Sequence, residues 1–264
     1  MVNFLVAAAL AAASPQPIAA TSDVQPALFA VGDADTTIYI FGTFHALDGQ
    51  TDWFKSNVRG AFESSNQLVL ETLVPEGRDQ AQLASMPRYR GLMTPSASFL
   101  ATTRMAINAG RSQGMQVDNG ADMVLRHIAE AEGKDVEGLE TLESQLDMFT
   151  KMPSAPTHEP KPGEAIPEIS PMDSLSKAMA EMQAAWKHGD QSVFVRMLGQ
   201  LNANSPTTYR MMFTERNARW ADWIRARLQT PGTVFVAVGA GHLAGKDSLL
   251  AQLAQRGVPS QRIN

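Results

Sequence analysis

Histidine is the side chain most ready to move a proton or hold a metal near neutral pH, and two of this chain's five histidines share one local pattern. Gly42-Thr43-Phe44-His45 follows the apolar run Ile38-Tyr39-Ile40-Phe41, and Gly239-Ala240-Gly241-His242 follows Val234-Phe235-Val236-Ala237-Val238. With 19 Gly and 5 His, about 0.4 matches to G-x-x-H arise by chance, so the spacing alone says little. Placement behind a strand-like run says more. Two carboxylates share that placement: Glu71 ends Gln67-Leu68-Val69-Leu70, and Glu140 ends Asp135-Val136-Glu137-Gly138-Leu139. In an open α/β sheet, ligands bind beyond the carboxyl ends of the strands. If these strands are parallel neighbours, two imidazoles and two carboxylates converge there. Such a set suits a divalent transition metal such as manganese, cobalt or zinc, or a metal-free acid/base pair.

Each of these residues also has an ordinary structural reading. A carboxylate after a strand is commonly a turn former or helix cap, and Glu140-Thr141 precedes an expected helix. The other histidines look structural: His127 lies among charged neighbours in a helix, His158 in a proline-rich stretch and His188 at a helix end. Glu215 and Arg219 form an i,i+4 pair expected on a solvated face. Arg216 and Asn217 then point elsewhere, and an arginine fork suits a substrate carboxylate or oxyanion. The turn Gly239-Ala240-Gly241-His242-Leu243-Ala244 fits a dinucleotide fingerprint, but no Asp or Glu follows Asp247 to hold a ribose, so that reading fails. Met115, Met123, Met179, Met182, Met211 and Met212 read as adaptable core.

The elements that must place these groups follow from periodicity. Segments 27–31 and 36–43, separated by Gly32-Asp33-Ala34-Asp35, predict a β-hairpin. Residues 52–65 carry apolar groups at helical spacing and 67–72 form a short apolar strand, so strand, helix and strand predict a parallel pair. Residues 79–133 read as mostly helical with breaks at Pro87 and Pro95, followed by a strand at 135–140 and a helix at 142–150. The proline-rich loop at 152–172 can hold neither helix nor central strand. Helical spacing resumes over 172–188 and 191–201, and Ser205-Pro206 predicts the capped start of a long helix through Leu228. A final strand runs into the second G-x-x-H, and a helix over about 247–256 ends at Gly257.

Composition narrows the function classes. A net charge of −5 with no long Lys/Arg cluster argues against nucleic acid. The absence of Cys removes thiolate nucleophiles, disulfides and Cys-based zinc sites, so a metal would sit on His and carboxylates. The first twenty residues carry no charged side chain. Their apolar run Phe4–Ala13 is too short to span a bilayer, and Pro15, Pro17, Ala19 and Ala20 follow it. This predicts a signal peptide over 1–20, a mature domain over 21–264 and a periplasmic or secreted protein with no stable membrane span after cleavage.

From Leu28 to Asn264 the sequence resembles the TraB/GumN family, which includes the TIKI metalloproteases and is distantly similar to erythromycin esterases. The resemblance rests on IYIFGTFH, LVLET with Glu71, VEGLETLESQ with Gly138, Leu139, Glu140 and Gln145, the Arg216-Asn217 pair, and VFVAVGAGHLAGKDSLLAQLAQRG. It implies an α/β fold with a mixed central sheet flanked by helices and a helical insertion region. It also implies a metal-dependent, peptidase-like hydrolase acting on a peptide or small molecule. His45, His242 and Glu71 would hold a divalent metal (Mn, Co or Zn), with Glu71 also the candidate base. Arg216 would steady charge on the substrate oxygen, and Glu140 would orient a histidine. The alternatives are a metal-independent esterase or amidase with His45 as base oriented by Glu71, a non-catalytic periplasmic protein binding metal, haem or another ligand, and an interaction protein using the proline-rich loop.

Overall fold

The computed structural model describes residues 24–73, 97–153 and 171–264. The expected signal peptide and most of the proline-rich loop lie outside the described residues, as do Pro87 and Pro95.

Among the described residues, six strands form one sheet in the order β4-β3-β5-β2-β1-β6. The hairpin is β1 (Leu28–Gly32) and β2 (Thr36–Thr43), antiparallel with Leu28 opposite Phe41. Strands β3 (Gln67–Thr72), β4 (Asp135–Glu140) and β5 (Gly232–Gly239) are parallel to their neighbours, with β5 inserted between β2 and β3. The short β6 (Gln261–Arg262) pairs antiparallel with β1. The sheet is therefore mixed and the architecture α/β, as expected.

Strict alternation explains why the central strands are almost wholly apolar. Val234, Val236 and Val238 pack with Ile38, Ile40, Val69, Trp220, Ile224, Leu249 and Leu253 on one face. Phe235 and Ala237 pack with Phe41, Phe62, Leu68 and Leu70 on the other. A parallel sheet covered on both faces requires such continuous hydrophobic runs.

Helices α1 (Ser56–Glu63), α2 (Ala97–Ser112), α3 (Ala121–Ala131), α4 (Leu142–Lys151), α5 (Pro171–Lys187) and α6 (Ser192–Asn204) follow in order. The helix expected from Asp52 begins only at Ser56. Trp53 turns inward to stack on Phe41 with ring centroids 5.5 Å apart, and Ser56 takes a left-handed φ of 48°. Short α7 (Pro206–Tyr209) continues through one wide π turn, Arg210–Thr214, into α8 (Glu215–Arg227). Ser205 does not cap this helix by its side chain: its hydroxyl meets Thr208 Oγ1 at 2.7 Å, while its carbonyl accepts from the Tyr209 N–H at 3.0 Å. After β5, residues Ala240–Leu243 form a 3-10 turn and α9 (Leu249–Gln255) follows. Among the described residues, no helix is long and apolar enough to cross a membrane.

The connection leaving β2 runs to α1, whose Val58, Ala61 and Phe62 pack on the Phe41 face. That leaving adjacent β5 runs to α9, whose Leu249 and Leu253 pack on the opposite face. Neighbouring parallel strands that send their chains to opposite faces open a crevice at their carboxyl ends.

Candidate functional site

The two G-x-x-H turns interlock at that crevice through their glycines. A Cβ on Gly42 would lie 3.2 Å from Leu243 Cδ1 and 3.3 Å from Ala240 Cα, in the second turn. A Cβ on Gly239 would lie 3.1 Å from Glu71 Oε1 and 3.2 Å from His45 Nε2. Each turn thus needs the other's glycine to be bare. Trp186 fixes the first turn from beneath, its indole N–H donating to the Gly42 carbonyl at 2.7 Å.

His242 is buried between aromatic rings, 4.8 Å from Phe213 and 4.5 Å from Trp220. Its Nε2 faces Arg216 Nη1 at 3.3 Å. A guanidinium can only donate, so Nε2 holds a lone pair and the ring proton sits on Nδ1. Nδ1 donates to Asn217 Oδ1 at 2.7 Å, and Asn217 Nδ2 donates to the Asp247 carbonyl at 2.8 Å, which fixes the amide's orientation. Burial lowers the His242 pKa to about 3, with Arg216 and His45 adding to the effect against the opposing charge of Glu71. His242 is a neutral acceptor throughout the physiological range.

Arg216, also buried, is the hub of the cluster. It donates to Glu71 Oε2 at 2.8 Å through Nη2, to Glu140 Oε2 at 2.9 Å through Nε and to the Met212 carbonyl at 3.4 Å through Nη1, and its guanidinium lies 4.6 Å from the Trp220 ring centroid. Arg219 closes on the other Glu140 oxygen at 3.0 Å. Glu71 Oε1 accepts from the Gly239 N–H at 2.6 Å and lies 3.7 Å from His242 Nε2. Burial alone would raise the Glu71 pKa, but His242, Arg216, His45 and the Gly239 N–H outweigh it and bring it to about 2.

His45 is the open member, its side chain 60% exposed. The Ala121 N–H donates to the Phe44 carbonyl at 2.9 Å, tying the first turn of α3 to the residue before His45. That tie brings Asp122 Oδ2 to 3.3 Å from His45 Nδ1. Desolvation by the crevice wall would lower the His45 pKa, but the charge and hydrogen bond of Asp122, with Glu71 behind, outweigh it and raise the value to about 9. At neutral pH His45 is an imidazolium.

A family model for the TraB/PrgY/gumN family matches residues 27–102 and 91–262. The chain belongs to the TraB/PrgY/gumN family. No curated protein and no solved structure matches it.

In this TraB/PrgY/gumN chain, the five residues singled out from sequence stand at one sheet edge, but their surroundings differ from those expected. Glu140 braces Arg216 and Arg219 rather than orienting a histidine. It does not cap α4 either, since Thr141 Oγ1 accepts the Ser144 N–H at 3.2 Å. Arg216 is turned onto protein acceptors rather than toward a substrate oxygen. Arg219 leaves its expected partner Glu215, which pairs instead with Arg210 at 3.2 Å. Asn217, Asp247 and Asp122 complete the site. Strand-end reasoning does not reach Asp122, although an acid in a helix's first turn after Asn119-Gly120 is a visible helix-start signal.

His242 Nε2 and Glu71 Oε2 both face Arg216, so two of the expected donors already meet a cation. Among the described residues, no group of three His, Asp or Glu side chains is arranged to hold a metal ion. In this geometry the residues do not fit one unless Arg216 withdraws.

Proposed function

We propose that the crevice hydrolyses an ester or amide carbonyl, with His45 as proton donor and Glu71 as the carboxylate that directs water. The supporting observation is that His45 and Glu71 line one cavity, and that His45 Nε2 and Glu71 Oε1 close together on Gly239, at 3.2 and 3.1 Å from the point a Cβ would occupy. A substrate carbonyl bound in that cavity accepts a hydrogen bond from the His45 imidazolium, while Glu71 Oε1 orients a water. The water oxygen bonds to the carbonyl carbon as Glu71 takes its proton. His45 then gives a proton to the departing oxygen or nitrogen as the C–O or C–N bond breaks, and the proton on Glu71 returns to His45. A carboxyl near pKa 2 is a weak base, so its part is mainly orientation and the pull of His45 on the carbonyl oxygen carries more of the rate. Asp122 holds the His45 ring and sustains its charge.

A second reading, metal-dependent hydrolysis, draws on the same side chains, because two imidazoles and a carboxylate meet around Gly239 and would take Mn, Co or Zn if Arg216 moved aside. One experiment separates the two. The chelator-treated protein is assayed on p-nitrophenyl esters and a peptide library, with and without each metal. Hydrolysis that survives chelation and falls about a hundredfold or more in His45→Ala is expected. Activity that returns only with metal selects the second reading. Equal rates for His45→Ala and wild type overturn both, and tight ligand retention without turnover favours a binding protein.

A further inference from the structure

Arg216 occupies the point on which three neighbouring strands converge. Glu71 on β3, Glu140 at the end of β4 and His242 in the turn after β5 each aim one acceptor at its guanidinium, at 2.8, 2.9 and 3.3 Å. Each acceptor is also held from behind. The second oxygen of Glu71 accepts from the Gly239 N–H at 2.6 Å, the second oxygen of Glu140 accepts from Arg219 at 3.0 Å, and His242 Nδ1 donates to Asn217 Oδ1 at 2.7 Å. Two carboxylates and a neutral imidazole, buried together and each steadied by an outer hydrogen bond, are the donor types and the support that a divalent transition metal takes in proteins. Here the cation at the centre is a side chain.

We propose that Arg216 is the resident cation of this cluster and takes the place of a metal ion, so that the protein binds no divalent metal at His242 and Glu71. Charge and space both exclude one. With Arg219, Arg216 already balances the two carboxylates, so the cluster carries no net charge for an ion to neutralise. His242 Nε2 and Glu71 Oε1 lie 3.7 Å apart, a gap that one ion with bonds of about 2.0–2.2 Å would bridge, but Arg216 Nη1 stands 3.3 Å from that nitrogen and engages its lone pair. A guanidinium about 4 Å from a divalent ion weakens its binding by well over a hundredfold at an effective dielectric of about 20. Nor is Arg216 free to withdraw, since the Met212 carbonyl and the Trp220 ring hold it on the helix side. A latent site follows from the same contacts. With the guanidinium taken away, two unmatched carboxylates and an imidazole lone pair are left around one vacated space.

Cobalt(II) is the probe, with visible absorption reporting its coordination and calorimetry its affinity for the chelator-treated protein. Wild type is expected to bind no cobalt that His242→Ala removes. Arg216→Ala should gain one cobalt per chain, bound about a hundredfold or more tighter than by wild type, and Arg216→Ala/His242→Ala should lose it. Where the stranded carboxylates leave Arg216→Ala unfolded, cobalt should restore its circular dichroism, because an ion that binds only the folded state drives folding. An Arg216→Ala that neither binds cobalt nor refolds with it overturns the inference, as does a wild type that binds cobalt tightly and loses it in His242→Ala. Neither readout involves turnover, so a wild type that excludes metal and cleaves no ester or peptide defeats the hydrolase reading alone.

Discussion

Asn217 determines which nitrogen of His242 carries the proton. With Asn217 Nδ2 committed to the Asp247 carbonyl, its Oδ1 is an acceptor, so His242 Nδ1 is the donor and Nε2 presents a lone pair to Arg216. Removing that acceptor in Asn217→Ala leaves a buried N–H unpaired and should cost about 1–3 kcal/mol in urea unfolding. Asn217→Asp places a carboxylate beside the ring, so the His242 pKa should rise from about 3, as NMR titration would show. An unmoved His242 titration would contradict this assignment of the proton.

The interlocked glycines predict two different losses. Gly239→Ala pushes a methyl against the flexible ends of Glu71 and His45, so the fold should survive while hydrolysis falls about a hundredfold. Gly42→Ala meets the Ala240 backbone instead and should destabilise the protein by about 1–3 kcal/mol. Circular dichroism and denaturant unfolding alongside the hydrolysis assay distinguish these, and a wild-type rate in Gly239→Ala would count against the His45–Glu71 pair as the reaction centre.

His45 carries a raised pKa, so the sign of its pH dependence follows. Its pairing with Asp122 contributes fully below the ordinary value of 6.5 and is lost as pH rises through about 9. With the imidazolium as the proposed proton donor, kcat/KM should decline above about pH 9, and Asp122→Asn should bring that decline to lower pH. A rate that instead increases through this range would show that His45 acts as a base.

Glu71 runs the opposite way. Its depressed pKa contributes stability above the ordinary 4.5, and that contribution is lost as pH falls toward about 2. Arg216→Met strands Glu71 and Glu140 without their shared cation and should cost about 3–5 kcal/mol at neutral pH. The Glu71 pKa should also rise, moving the acid unfolding midpoint upward. Arg216→Lys should rescue little, since one ammonium cannot reproduce the fork to both carboxylates. An acid midpoint unchanged in Arg216→Met would show that this hub does not support the fold.

Much of this was legible in the sequence because parallel strands are simple to read: an apolar run ends, and the next polar residue stands at the crevice. His45, Glu71, Glu140 and His242 were found this way, and their common edge follows from β2, β5, β3 and β4 running parallel. What each one touches was not legible. Asp122 reaches His45 only because a loop hydrogen bond docks α3 there, and no local spacing encodes that contact. Arg219 does not pair with Glu215, although both stand on the regular helix α8, because each has a better partner outside that spacing. The wide turn at 210–214 pairs Glu215 with Arg210, five residues back as a π turn allows, and leaves Arg219 for Glu140.

The place of β5 in the sheet bears on how the protein comes into being. It is made after β2, β3 and β4, yet it lies between β2 and β3. Until it inserts, those two strands present unpaired inner edges and the second histidine has no place to stand. Long-range pairing of this kind closes slowly. A chain in which β5 has yet to insert is therefore prone to association, and the site is assembled in a single late event of folding.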